Sequence, residues 1–192
     1  MDIRQFFFKY RSYTPIPLVL VLLCFSDPFQ PAIYFGIGLL TVGELIRIWA
    51  VRYAGGITRT RNVGAPKLVT SGPFAYLRNP LYLGNMLMYL GIVLIAGGSI
   101  MWILFLLTLL FFIIQYSLIV SLEQETLKKK FGEEYLIYCK NVPALFPRLK
   151  GWDGKEAQKP KKFSKVYKPE KSTLINIIII LTLIYIRSQF SF

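Results

Sequence analysis

The stretch that decides the fold is residues 79–122, which read NPLYLGNMLMYLGIVLIAGGSIMWILFLLTLLFFIIQYSLIVSL. This run of 44 residues contains no charged side chain. A helix of that length would extend about 66 Å, twice the thickness of the hydrocarbon core of a bilayer. Gly97-Gly98-Ser99 lies near its middle and favours a turn. The run therefore predicts a hairpin of two transmembrane helices, at 80–98 and 100–122.

The rest of the chain is also apolar. Of its 192 residues, 54% are hydrophobic and 17% are charged, whereas a soluble domain has about 25% charged residues. Further apolar segments lie at 13–26, 29–51 and 173–187, of which the first and the last are short for a complete span. We expect an all-α, polytopic membrane protein with about five transmembrane segments.

The positions of Lys and Arg orient these segments. Of the 23 basic residues, 21 lie in 1–12, 52–78 and 123–171, and the connectors 26–30 and 97–99 have none. The positive-inside rule places the three basic stretches, and with them the amino terminus, on the cytoplasmic side. We expect a cell membrane of a bacterium or archaeon. Topology and anionic lipid account for the net charge of +13, which therefore implies no nucleic-acid partner.

Several kinds of chemistry are excluded by composition. The chain has no histidine, which rules out Ser-His-Asp and Cys-His nucleophile pairs and any histidine-ligated metal. Its two cysteines, Cys24 and Cys139, are far apart and form no CxxC motif. We therefore expect no metal site.

Ionisable residues inside or at the edge of a span are candidates for function. Glu44 is the only acid within a predicted span, and Arg47 follows three residues later on the same helix face, where the two can pair. Glu123 lies at the last turn of the uncharged run. For Glu44 and Arg47 the alternative is a pair that only joins neighbouring helices. For Glu123 it is a helix end exposed to solvent.

Two polar segments flank the hairpin. The loop 64–84 is rich in turn residues, and the helix start at Pro80 offers backbone N–H groups to an anion; the alternative is an interfacial loop with an aromatic belt. Residues 122–138 carry an apolar stripe at helical spacing beside the basic flank 128–130, which predicts a helix that can lie on the membrane surface.

Motifs in these two segments carry a resemblance to a known family. They are LVTSGPF at 68–74, RNPLYLG at 78–84, Glu123, FGEEYLIY at 131–138 and Val-Pro at 142–143. In order and spacing they closely resemble the isoprenylcysteine carboxyl methyltransferase family, which is related to the membrane phospholipid N-methyltransferases. The resemblance implies a helical membrane enzyme that uses S-adenosylmethionine without a Rossmann domain. It also implies a lipid or lipidated acceptor that reaches the site from the bilayer.

The resemblance covers residues 55–148, which we expect to form the catalytic core. Residues 1–54 would then be an N-terminal helical hairpin, and 149–192 a basic linker followed by a C-terminal apolar helix. In the family the cofactor lies at the cytoplasmic face, between the loop before the third span and the segment after the fourth. The sequence does not indicate an oligomeric state.

The resemblance also implies a set of site residues. Those expected to bind the cofactor are Lys67, Leu68, Val69, Phe74, Asn79, Pro80, Leu81, Tyr82 and Glu123. Phe74 stands where the family usually has tyrosine. Asn79 replaces the usual histidine, and its amide forms hydrogen bonds but cannot carry charge. Glu44, Arg47 and Arg78 are the candidates for catalysis.

The nature of the acceptor leaves alternatives open. A phospholipid N-methyltransferase needs a base, for which Glu44 and Glu123 are the candidates. A non-catalytic membrane protein that keeps the fold is a third hypothesis. In the prenylcysteine enzymes an arginine lies four residues before the cofactor-holding glutamate, and here that residue is Ile119. Because a carboxylate would lose its hydration there without a partner, we expect poor methylation of prenylcysteine carboxylates unless Arg47 or Arg78 reaches the acceptor.

The predicted topology is tested by labelling single cysteines with an impermeant thiol reagent in a background that lacks Cys24 and Cys139. Cysteines at residues 66 and 155 should react only from the cytoplasmic side, and a cysteine at residue 98 only from the outside. Labelling of residue 98 from the cytoplasm would reverse the orientation.

Overall fold

The structure, a computed structural model, describes residues 2–55, 63–154 and 157–190. Arg59, Arg61 and Lys155, which entered the topology argument, lie outside the described residues. The helices are α1 (Ile3–Tyr10), α2 (Ile16–Cys24), α3 (Gln30–Ala54), α4 (Pro80–Ala96), α5 (Met101–Asn141) and α6 (Ser164–Gln189), with a 3-10 turn at Gly72–Ala75. The described residues contain no β-strand, which confirms the all-α class.

Helix length separates the complete spans from the partial ones. Three of the described helices, α3, α5 and residues Val166–Gln189 of α6, are long and apolar enough to cross a membrane. α4 has 17 residues, about 25 Å of helix, whereas α2 has nine, about 14 Å. The expected number of about five segments is therefore approximate. The segment predicted at 173–187 is part of the longer helix α6, and the one predicted at 13–26 is α2, which covers about half of a hydrocarbon core.

The predicted hairpin is confirmed as α4 and α5. α5 has 41 residues in all and continues to Asn141, well beyond the end of the uncharged run at residue 122. The polar segment after Glu123 is therefore helical, as predicted. Gly132, with φ 52°, interrupts the helical geometry and divides α5 into two straight parts. The second part, residues 133–141, can therefore turn away from the axis of the span.

Two pairs of glycines bring α3 and α4 into backbone contact. A methyl group on Gly36 would lie 2.6 Å from the carbonyl oxygen of Gly91, and one on Gly43 would lie 2.6 Å from that of Gly84. Within each helix the two glycines are seven residues apart, so they face the partner helix at two successive levels. Small residues at such an interface let membrane helices pack closely. The pairing fixes the antiparallel register of α3 and α4.

The two connectors that have no Lys or Arg, 26–30 and 97–99, meet at one end of the bundle. The backbone N–H of Asp27 donates to Ala96 at 2.9 Å, and the N–H of Gly98 donates to Asp27 at 3.0 Å. The Ser26 hydroxyl, which is buried, also donates to the Ala96 carbonyl. Gly97 and Gly98 have φ values of 63° and 89°, which residues with a Cβ rarely adopt. Both connectors therefore lie on the same side of the membrane, as the charge pattern predicts.

The opposite end, which we call the Glu123 end, is closed by α1. Phe8 of α1 is buried in a cluster with Phe112, Tyr116 and Ile119 of α5. Arg4 forms an ion pair of 3.3 Å with Glu125, two residues beyond Glu123. The Asp2 side chain accepts a hydrogen bond from the Arg4 N–H and caps α1, and the Arg4 guanidinium lowers the pKa of the Asp2 carboxyl.

Glycine substitutions on α3 test the backbone contact with α4. Gly36→Ala should lower stability by about 1–3 kcal/mol, because its methyl group would collide with backbone atoms that cannot move without separating the helices. Gly38, on an open face of the same helix, is the matched control, and Gly38→Ala should leave stability equal or slightly higher. Thermal unfolding of both variants in detergent gives the comparison. Equal midpoints would contradict the close packing of α3 on α4.

Candidate active site

A cavity of about 490 Å³ opens at the Glu123 end of the bundle. Its walls come from α1 and the connector that follows it, α3, the loop 64–79, α4, α5 and α6. All nine predicted cofactor residues line it: Lys67, Leu68, Val69, Phe74, Asn79, Pro80, Leu81, Tyr82 and Glu123. Arg47 and Arg78 line it too, whereas Glu44 is not among the described lining residues. The structure thus gathers eleven of the twelve candidates in one place; their roles remain predictions.

The loop with Leu68 is held from one side by the second part of α5. Leu68 is buried against Tyr135, Tyr138 and Val142. The Tyr138 hydroxyl donates a hydrogen bond of 2.7 Å to the carbonyl of Phe74. Burial raises the pKa of the Tyr138 phenol, so the hydroxyl keeps the proton that it donates. The kink at Gly132 therefore lets α5 serve both as a span and as a support for the loop.

The same loop is held from the other side by Gln158. Its side-chain amide donates to the Leu68 carbonyl at 2.7 Å and accepts from the Thr70 N–H at 3.2 Å. Its own backbone N–H donates to the Ser71 hydroxyl at 2.9 Å. The sequence predicted a surface linker here, and the linker in fact carries a residue that fixes the backbone conformation of the cavity wall.

Asn79 and Pro80 form the start of α4. Pro80 occupies the first helical turn, where its lack of an N–H costs nothing. The Asn79 side-chain amide donates to the carbonyl of Ala144 at 2.9 Å, and the Arg78 N–H donates to that of Pro143. Asn79 therefore ties the start of α4 to the Val-Pro motif through an uncharged hydrogen bond.

Tyr82 and Glu123 form the most distinctive contact in the cavity. The Tyr82 hydroxyl donates to Glu123 Oε1 at 3.0 Å, which joins α4 to α5. The Tyr82 ring stacks on that of Tyr116 with centroids 4.5 Å apart, and Phe112 continues the stack. A carboxylate beside aromatic faces is a chemical environment that attracts a cation.

The two candidate arginines have different surroundings. Arg78 points toward α5, where its Nη1 donates to the sulfur of Cys139 at 2.6 Å. Arg47 is buried and bonded to side chains of α4 and α6: Nη1 donates to Asn85, and Nη2 donates to Glu170 at 2.7 Å and to Thr173 at 3.1 Å. The predicted pair with Glu44 is present at 3.7 Å from Nε.

Four residues of the cavity wall or its support were missed from the sequence: Asn85, Tyr116, Gln158 and Glu170. Asn85 and Tyr116 lie in apolar helices, where periodicity does not distinguish a side facing lipid from one facing a cavity. Gln158 and Glu170 lie in a basic tract that is typical of a solvated linker. The one available signal was Glu170 itself, an acid among many lysines just before an apolar run.

Comparison with known proteins assigns the family. The model of the phospholipid methyltransferase family matches residues 31–134, more than half of the chain. The chain belongs to this family. The match begins at the start of α3 and ends in α5, so it contains Arg47, all of α4 and most of α5, and it excludes α1, α2 and α6.

Several curated proteins are similar to this chain over part of its length. The cobalt-zinc-cadmium resistance protein CzcN of Cupriavidus metallidurans is 34% identical over 62% of this chain and 49% of its own length. The protein-S-isoprenylcysteine O-methyltransferase of Schizosaccharomyces pombe is 32% identical over 59% of this chain and 48% of its own, and the human protein of that name is 31% identical over 60% and 41%. The chain spans about half the length of the curated relatives it matches. No solved structure matches it significantly.

The support that Gln158 gives to the loop is tested by removing its side chain. Gln158→Ala deletes two of the three hydrogen bonds, each of which contributes about 1 kcal/mol. Hydrogen exchange of the amides at 68–71 should accelerate, and that of the amides in α4 should not. Lys159→Ala, at the exposed neighbouring position, is the control and should change neither. Unchanged exchange in Gln158→Ala would show that the loop is held by Tyr138 and α5 alone.

Proposed function

We propose that this protein is an S-adenosylmethionine-dependent methyltransferase that acts at the cytoplasmic membrane face on a lipidic, membrane-embedded acceptor. Membership of the family supports methyl transfer. The observation that carries the proposal is the convergence of the nine cofactor candidates on one cavity, where Tyr82 and Glu123 are already hydrogen-bonded.

The cavity suits the cofactor in size and in chemistry. Its volume falls within the range of about 300–1,000 Å³ that is usual for sites of small molecules. The stacked rings of Tyr82 and Tyr116 and the carboxylate of Glu123 offer two kinds of attraction to a positively charged group. Leu68, Val69 and Phe74 offer an apolar surface to an adenine ring.

The proposed chemistry places modest demands on the protein. When bound, S-adenosylmethionine would supply an electrophilic methyl group: an acceptor atom attacks the methyl carbon in line, and the bond to sulfur breaks so that the neutral thioether S-adenosylhomocysteine leaves. The tasks left to the protein are to position both partners and to exclude water. The aromatic stack from Tyr82 to Phe112 is well placed to exclude water, and the fixed loop at Leu68 to position the donor. Neither task requires a histidine or a covalent nucleophile.

The other part of the cavity is suited to an apolar acceptor. It extends along the membrane-spanning helices and is lined by Met88, Ile92, Phe112, Ile177 and Ile180. The last two belong to α6, which has a mostly exposed apolar surface for lipid. An acceptor with a hydrocarbon chain can therefore bury that chain between α4 and α6 while its reactive group points toward the Tyr82–Glu123 pair.

The geometry bears on two narrower hypotheses, that the acceptor is a prenylcysteine carboxylate and that Glu44 or Glu123 acts as a base. Ile119 is fully buried against α1 and is not among the described residues that line the cavity, so this position offers no group to an acceptor carboxylate. For an acceptor that must lose a proton, Glu123 is the better placed of the two candidate bases, because it lines the cavity and Glu44 does not.

The cofactor assignment is tested by substituting Glu123. Glu123→Ala should weaken S-adenosylmethionine binding by about 10- to 100-fold, because hydrogen bonds and ion contacts of a carboxylate contribute about 1.5–3 kcal/mol. Isothermal titration calorimetry of the purified protein in detergent measures the affinity directly. Glu125→Ala, two residues away and outside the cavity, is the matched control and should bind like the wild type.

The same titration separates the enzyme from a non-catalytic relative. Binding by the wild type, followed by transfer of a labelled methyl group to extracted membrane lipids, would support the proposal. Absence of any binding would favour a protein that has kept the fold alone. Wild-type affinity in Glu123→Ala would refute the assignment of this residue to the cofactor.

A further inference from the structure

Arg47 is surrounded by hydrogen-bond acceptors at the wall of the cavity. Its guanidinium lies on the lining itself, since Asn85 and Thr173, which accept two of its hydrogen bonds, are lining residues as well. Behind it lies Glu170, which is 2% exposed and bonded to Nη2 at 2.7 Å. A carboxylate oxygen of Glu44 lies 3.7 Å from Nε.

The charges of this cluster do not leave a free cation. One guanidinium faces two carboxylates, so the formal charges of Glu44, Arg47 and Glu170 sum to −1. All three side chains are largely buried, where electrostatic interactions are strong. An anionic group that approached this wall would therefore meet a site whose positive charge is already compensated.

The geometry of the hydrogen bonds leads to the same result. A guanidinium binds a carboxylate with two parallel hydrogen bonds along one of two edges, Nε with Nη2 or Nη1 with Nη2. Both edges include Nη2, and Nη2 already has two hydrogen-bond acceptors, Glu170 and Thr173. No edge of Arg47 is left for a bidentate contact.

We propose that Glu170 is a specificity-determining residue that excludes acceptors ending in a carboxylate, because it occupies and neutralises Arg47. The inference rests on the proposed function, from which it takes the binding of a lipidic methyl acceptor in this cavity. Glu170 lies in α6, outside the residues that match the family model. Selection against anionic acceptors is thus a property that this chain adds to the family core through its C-terminal helix.

The experiment compares two probes that differ only in their terminal group, which is a charged carboxylate in N-acetyl-S-farnesylcysteine and a neutral amide in its carboxamide. Dissociation constants for both are measured by equilibrium binding to the purified full-length protein in detergent. The wild type should bind the acid at least about tenfold more weakly than the amide. Glu170→Ala removes the charged acceptor of Nη2 and leaves Thr173 in place, and it should improve binding of the acid about tenfold and leave binding of the amide unchanged. Glu44 stays beside Arg47 as a counter-charge in this variant.

Two further variants make the result specific. The double variant Arg47→Ala/Glu170→Ala should lose the gain for the acid, because the guanidinium that would bind it is gone. Glu170→Gln keeps an acceptor oxygen for Nη2 and removes the charge, and it should give a smaller gain of about threefold. This variant decides the question if Glu170→Ala does not yield a folded, monodisperse protein.

The outcomes separate this inference from the proposed function. An unchanged ratio of acid to amide affinity in the folded Glu170 variants would overturn the role of Glu170. Titration with S-adenosylmethionine on the same samples tests the function independently. A shift in the ratio supports the specificity role whether or not that titration detects binding of the cofactor.

Discussion

The contact between α3 and α4 is the constraint on which the rest of the structure depends. Because Gly43 faces Gly84 without side chains between them, the two backbones touch, and the register of the helices cannot shift by a residue without a collision. Arg47 lies one turn beyond Gly43, and its side chain passes directly over Gly84. The glycine pairing therefore places a long, charged side chain of α3 at the wall of the cavity.

The position of Arg47 at the cavity wall explains why the C-terminal helix, α6, belongs to the site. A guanidinium buried in a helical bundle must be compensated, since an unpaired charge inside a membrane protein is costly. α6 supplies Glu170 and Thr173 for this purpose, and two isoleucines one and two turns further along the same helix line the cavity. The family core contains Arg47 but not its main partner. The ion pair thus ties α6 to the core and at the same time completes the cavity.

Much of this organisation could be predicted from residue types and their order, and the remainder depends on packing. The uncharged run predicted the α4–α5 hairpin, because its 44 residues are enough for two membrane-spanning helices and a turn lies near its middle. The motifs around Leu68 and Tyr82 converge on the cavity because the turn residues between them fix the path of the loop. Tyr116 and Glu170 could not be assigned in this way, since their importance comes from elements that approach only in the folded bundle. α6 was also predicted too short, because its first two turns are polar and read as linker.

The geometry of α4 brings the two halves of the site together. Tyr82 faces the stacked rings and Glu123, and Asn85, three residues later on the same helix, faces Arg47. The two side chains differ in height by about 4.5 Å along the helix axis. In the proposed reaction a methyl group passes in line from the cofactor to an acceptor held at close to van der Waals distance, and errors of about an ångström in their positions reduce the rate of such a step strongly. The backbone of α4 is held against α3 by its own glycines. Because Tyr82 and Asn85 lie on this one helix, their separation is fixed, which suits a site that must hold two molecules in a defined relative position.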